Sequence, residues 1–126
     1  MINTPTTTRP LEYVCLFPAD MPTLEGDVFM FFAIDTFSEF VFNTGVEKQL
    51  NDDLILKHIK LLVKNPDFIK HRDNGFTLVL HKFKHLVFAI NAIIEPFDGK
   101  VIINDQFVAQ TFEPFLKSMY QNMGNR

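Results

Sequence analysis

Seven consecutive apolar residues, Val28 to Ile34 (VFMFFAI), stand between Asp27 and Asp35. A half-exposed strand would interleave polar residues, so an unbroken run of this length reads as a strand covered on both faces. That one segment asks for a sheet with packed layers on either side. The run is also far too short to span a bilayer, so no membrane partner is expected.

The remaining sequence must supply those layers. With 126 residues, 47% apolar and 21% charged, the chain can build one ordinary globular core and not two. Its aromatic content is 15 Phe and 2 Tyr with no Trp, which points to a dense phenylalanine-rich interior. A formal charge of -3 argues against nonspecific gripping of nucleic acid, so any such contact has to be local. Cys15, the single cysteine, sits between Val14 and Leu16 and reads as a buried strand residue of a reducing compartment. The opening MINTPTTTRP is no secretory signal. The expected setting is intracellular, cytoplasmic or nuclear and not secreted, with residues 1–10 a flexible arm and 11–126 a single domain.

Element by element, EYVCLF (12–17) reads as a strand closed by Pro18, PADMPTLEG as a turn, and SEFVFNTGVEK (38–48) as an alternating third strand. The period then changes. Asn51 caps a helix with Asp52 and Asp53 in its first turn and Leu54, Ile55, Ile59, Leu62 and Val63 on one face, stopped by Asn65 and Pro66. Residues 67–72 read as a short strand, 77–90 as a second helix and AIIEPF (92–97) as another strand. VIIND (101–105) is open between a loop anchor and a strand. The final helix carries Val108, Phe112, Phe115, Leu116 and Met119, and either kinks at Pro114 or starts near Thr111. The order βββαβαβα predicts an α/β domain, a five-stranded mixed sheet flanked by helices, as in a ribonuclease-H-like fold.

Two stretches carry a more specific likeness. ADMPTLEGDVFMFFAIDTFSEFVF and HRDNGF resemble the two acidic signatures of the catalytic core of retroviral integrases and related transposases, with Asp20 and Asp73 as the strand-end acids. The resemblance implies a polynucleotidyl transferase core that cuts and joins DNA, its carboxylates holding Mg²⁺ or Mn²⁺. Under it, Asp20 and Asp73 converge as metal ligands. Counting the family's spacing forward from Asp73 lands near Val108 and Ala109, where no acid stands; the substitutes are Asp105 and Glu113, of which Asp105 is the better candidate for third ligand, and metal binding is expected to be weak.

Each of these residues has a plainer reading. Asp20 and the Asp73-Asn74-Gly75 triplet are also turn chemistry, Asp35 starts the turn into Ser38, and Asp105 is also a helix cap. His71 and Arg72, and then His81, Lys84 and His85, are candidates for meeting a nucleic-acid backbone, or are simply solvated. Two functions stay open: a DNA cutting and joining core with reduced or lost activity, and a non-catalytic ribonuclease-H-like module for DNA or protein binding or homodimerisation. Neither implies a small-molecule substrate.

Overall fold

A computed structural model of the chain describes residues 6–124. Five strands form one mixed sheet in the order β3-β2-β1-β4-β5. They are β1 (Tyr13–Thr23), β2 (Gly26–Asp35), β3 (Val41–Glu47), β4 (Phe76–Leu80) and β5 (Gly99–Ile103). The helices are α1 (Asp52–Val63), α2 (Pro66–Arg72), α3 (Val87–Ile94) and α4 (Asp105–Gly124). β1 to β3 form an antiparallel meander, while β1 pairs β4 and β4 pairs β5 in parallel. This is the α/β, ribonuclease-H-like order expected from the sequence.

Two cores flank the sheet. Val14, Leu78 and Leu80 point to the α1 and α3 side, with Ile59, Leu62 and Ile90. Cys15, Ala19 and Val79 point to the α4 side, with Phe107, Val108 and Phe112. The phenylalanines interlock at edge-to-face geometry: Phe68 lies 5.5 Å from Phe42 and 5.0 Å from Phe76 between ring centroids.

Several boundaries differ from the sequence reading, each for a physical reason. Residues 67–72 are helical and not a strand, because Asn65 accepts from the Asp67 and Phe68 amides and Pro66 occupies the first turn, which starts a helix as well as ending one. The helix expected over 77–90 is a strand, Phe76–Leu80, followed by a 3-10 turn at Lys84–Leu86 and then α3. The apolar repeat there belongs to a central strand buried on both faces. AIIEPF is the end of α3 and a 3-10 turn, and the fifth strand falls on GKVII instead. α4 begins at Asp105 and runs through Pro114.

PADMPT is not a turn but the second half of β1. Tyr13 accepts from the Thr36 amide on the β2 side, and Glu12 accepts from the Thr77 amide on the β4 side. Even-numbered residues of β1 therefore aim their backbone groups toward β4. β4 stops at Leu80, level with Leu16, so beyond it Pro18, Asp20 and Pro22 face an open edge. Proline lacks a donor, and at these positions its neighbour β2 does not need one. The same two prolines deny the open edge to another strand.

Of the expected flexible arm, residues 1–5 lie outside the described residues, while Thr8 to Leu11 are tied to the domain. The Thr8 amide donates to Glu12 Oε1 at 2.6 Å, Arg9 Nη1 to Gly75 O at 2.8 Å and the Leu11 amide to Asp35 Oδ1 at 3.1 Å. Asp35 is buried, also accepts from the Phe37 amide and Ser38 Oγ, and thereby anchors the β2–β3 turn.

Gly99 opens β5 where a side chain has no room: a Cβ there would stand 2.5 Å from Phe76 Cζ and 2.9 Å from Ile94 Cβ. Gly99→Ala is expected to lower stability by about 1–3 kcal/mol in urea unfolding. Combined with Phe76→Leu, which withdraws the ring the methyl meets, the two losses should sum to less than their separate values.

Candidate functional site

The register decides the fate of the two acids first. Asp20 lies four residues beyond Leu16, the last β1 residue paired with β4, while Asp73 precedes the first residue of β4. Counting along the strands at about 3.3 Å per residue separates them by roughly 25 Å. Asp73 ends α2, with its side chain 88% exposed, 3.8 Å from Arg72 Nε. Asp20 is exposed and shares the α1 side of the sheet with Val14 and Leu16. Partial loss of hydration, and then the Asp27 carboxylate on the neighbouring strand, hold its carboxyl above the usual range. The expected convergence of Asp20 and Asp73 on one ion is not met, because Asp-Asn-Gly leads into β4 where the resemblance places it at the strand's exit.

What does face the exit of β4, and the level of β1 beside it, on the α4 side is aromatic. His81 follows Leu80 and packs on Phe17 at 5.0 Å between centroids, and Phe17 packs on Phe112 of α4 at 5.1 Å. Phe83, 5.9 Å from His81 and with a left-handed backbone (φ 69°), turns instead to the α1-side core. Beside the row runs an open groove of about 680 Å³, lined by Phe17, Ala109, Phe112, Glu113 and Leu116 among others. Ala109, the position to which the family spacing led, is exposed on this groove, whereas Val108 is buried under the sheet. Glu113 stands one helical turn further on, on the same flank.

His81 titrates in an unfavourable place. Burial lowers its pKa first and Lys82 lowers it further, opposed by Asp105, and its Nδ1 is buried without a hydrogen-bond partner. The imidazole therefore behaves here as one more flat ring. Asp105, the candidate third ligand, is an exposed residue in the first turn of α4 whose carboxylate acts on His81 from a distance. Among the described residues, no group of three or more His, Cys, Asp or Glu side chains is arranged to hold a metal ion. The residues present do not fit a two-metal site.

The basic candidates separate as well. His71 and Arg72 lie at the entry of β4, and His81, Lys84 and His85 beyond its exit. Arg72 is committed to the fold: its Nη1 donates to Val63 O at 2.6 Å and its guanidinium sits 4.3 Å over the Phe97 ring. His85 lies 3.0 Å from Asp52 of α1. Only the exposed Lys84 and His71 are presented to solvent without such a role being evident. The five do not make one binding face.

Sequence reasoning passed over a second cluster entirely. His58 of α1 is buried, stacked on Phe31 at 3.9 Å, with Nδ1 2.7 Å from Thr44 Oγ1 and Nε2 2.8 Å from Glu47 Oε2. Lys57 reaches the same Glu47 oxygen at 2.9 Å, and these two contacts, the lysine's first, hold the Glu47 carboxyl below its usual range. Thr44 is turned toward His58 by a bulge in β3, where Phe31 pairs Gly45 and Phe32 pairs Asn43. A histidine one turn from Ile55 and from Leu62, within an apolar stripe, was the only available signal.

No family model matches the chain, and no curated protein is similar to it. Among solved structures, it is similar to a chain in the simian T-cell lymphotropic virus intasome, determined by cryo-electron microscopy in complex with a PP2A regulatory subunit, at TM-score 0.70 and 9% identity. That likeness covers 98% of this chain and 45% of the viral one, so the chain spans less than half of its neighbour's length. At such identity what is shared is the fold.

Proposed function

We propose that this chain is a non-catalytic ribonuclease-H-like module that binds a protein partner within a nucleoprotein assembly, without metal-dependent DNA cutting and joining of its own. The observation that carries this reading is the packing of Phe17, His81 and Phe112 at the exit of β4 and the level of β1 beside it, where paired carboxylates would be needed. A protein is favoured over DNA because the candidate basic residues fall at opposite ends of β4 and Arg72 is already held internally. The neighbour's setting, an intasome bound to a further protein, supports an assembly of that general kind. An intracellular compartment fits Cys15, a buried thiol that burial pushes up to about 11 and so keeps protonated. No helix among the described residues is long and apolar enough to cross a membrane.

The test is a thermal-unfolding titration with Mg²⁺ and Mn²⁺. No saturable stabilisation is expected in the micromolar to low millimolar range, and no cleavage of a DNA duplex in Mn²⁺. Saturable stabilisation by micromolar Mn²⁺ would restore the catalytic reading. As the converse, the double variant Phe17→Asp, His81→Asp faces two carboxylates toward the flank that carries Glu113. It should lose stability in EDTA and regain part of it with Mn²⁺.

The aromatic role of His81 also sets a pH dependence. Its folded pKa is depressed, so near and below the ordinary value of 6.5 the unfolded chain binds the extra proton and folding stability drops as the pH is lowered. His81→Phe should remove that part of the acid loss while leaving stability near pH 8 within about 1 kcal/mol of the original, measured by urea unfolding across pH 5 to 8.

A further inference from the structure

The segment Thr7 to Leu11 stands between two grooves at the end of the sheet opposite the aromatic row. Thr7 lines a groove of about 600 Å³ with Glu39, Phe107 and Pro114. Pro10 and Leu11 line another of about 200 Å³ with Phe40, Phe42, Lys70 and His71. The segment is therefore a shared wall.

Its attachment combines a strong hold with an opposing strain. Leu11 is 1% exposed and belongs to the α1-side core, yet its backbone is left-handed at φ 62°, a conformation a leucine rarely adopts. Burial of the side chain favours the closed position, and the backbone favours leaving it. The remaining ties are separate hydrogen bonds, two of them to distant parts of the chain. Arg9 Nη1 reaches Gly75 O, the Leu11 amide reaches the buried Asp35, and Thr8 meets Glu12 through its amide at 2.6 Å and its hydroxyl at 3.1 Å. None of them is part of the strand ladder.

We infer that Thr7 to Leu11 is a hinged strap that opens independently of the core, joining the two grooves into one channel across the end of the sheet and vacating the place of Leu11 beneath it. The hinge is the left-handed Leu11, next to Glu12, whose carbonyl is fixed by the Thr77 amide. Glu12 thus marks where the movable segment ends and the sheet begins. Asp35 keeps two of its three donors, Phe37 N and Ser38 Oγ, when the strap leaves, so its carboxylate is not stranded.

Native-state amide hydrogen exchange on the whole chain tests this, comparing the Leu11 amide, held by Asp35, with the Leu78 amide of the central strand β4. Leu11 is expected to exchange at least about tenfold faster than Leu78 under conditions where the domain is folded. Arg9→Gln, which removes the bond to Gly75 O, should raise the Leu11 rate again by about tenfold and leave Leu78 unchanged. A common rate for the two amides in the unmodified chain would overturn the inference, as would an equal acceleration of both by Arg9→Gln. In either case the segment would open only with the whole domain.

Discussion

The parallel pairing of β1 with β4, running only from Tyr13–Thr77 to Leu16–Leu80, is the constraint on which the rest of the molecule depends. It makes β1 the strand that joins the antiparallel meander to the parallel half of the sheet. It also fixes which residues stand level with one another across the centre. A shift of one residue would exchange the two faces of β1, moving Cys15 and Ala19 from beneath α4 to the α1 side. Because β4 is so short, everything beyond Leu16 on that side is edge, and the chain meets the edge with prolines at 18 and 22.

That register also governs the chemistry. Acids can share a divalent ion only when their oxygens meet within a few ångströms, and the level of His81 on β1 is Phe17, not Asp20. With rings at that level, the space between β1, β4 and α4 closes as a hydrophobic corner and α4 is held by Phe112 and Phe115 against Phe17 and Phe32. Carboxylates at 17 and 81 would need hydration or cations to be tolerated there, whereas a neutral imidazole packs among phenylalanines at little cost. The contact that secures the last helix thus occupies the level at which, under the proposed function, rings stand in place of carboxylates.

How far the sequence alone could be read follows from the kind of signal each element carries. The doubly covered strand β2 and the capped helix α1 were legible because an unbroken apolar run and an Asn-Asp-Asp start each have one physical meaning. The stretch from 66 to 97 was not, because a strand buried on both faces and a buried helix show the same dense apolar pattern. Asn65-Pro66 both ends α1 and begins α2, and only the beginning was overlooked. The acidic signatures were matched by spacing from Leu24-Glu25-Gly26 and by Asn74-Gly75. Spacing along a chain does not reveal that β1 runs seven residues past its last pairing with β4. The His58 cluster depends on a bulge at Thr44, and a bulge leaves no periodic trace in a short strand.

The two ends of the sheet have consequently been put to different uses. At the exit of β4 the sheet is closed by rings, and the groove left beside α4 is mostly apolar, with Glu113 and Lys117 among its charged lining. At the opposite end a buried carboxylate, Asp35, collects three donors from two places in the chain: Leu11 ahead of β1, and Phe37 and Ser38 after β2. Rings packed against one another resist displacement because many small contacts must be lost together. Hydrogen bonds to a single acceptor can be released one at a time. If the strap opens as inferred, it does so at the Asp35 end, where bonds can be released singly, and not at the ring-packed end beside α4.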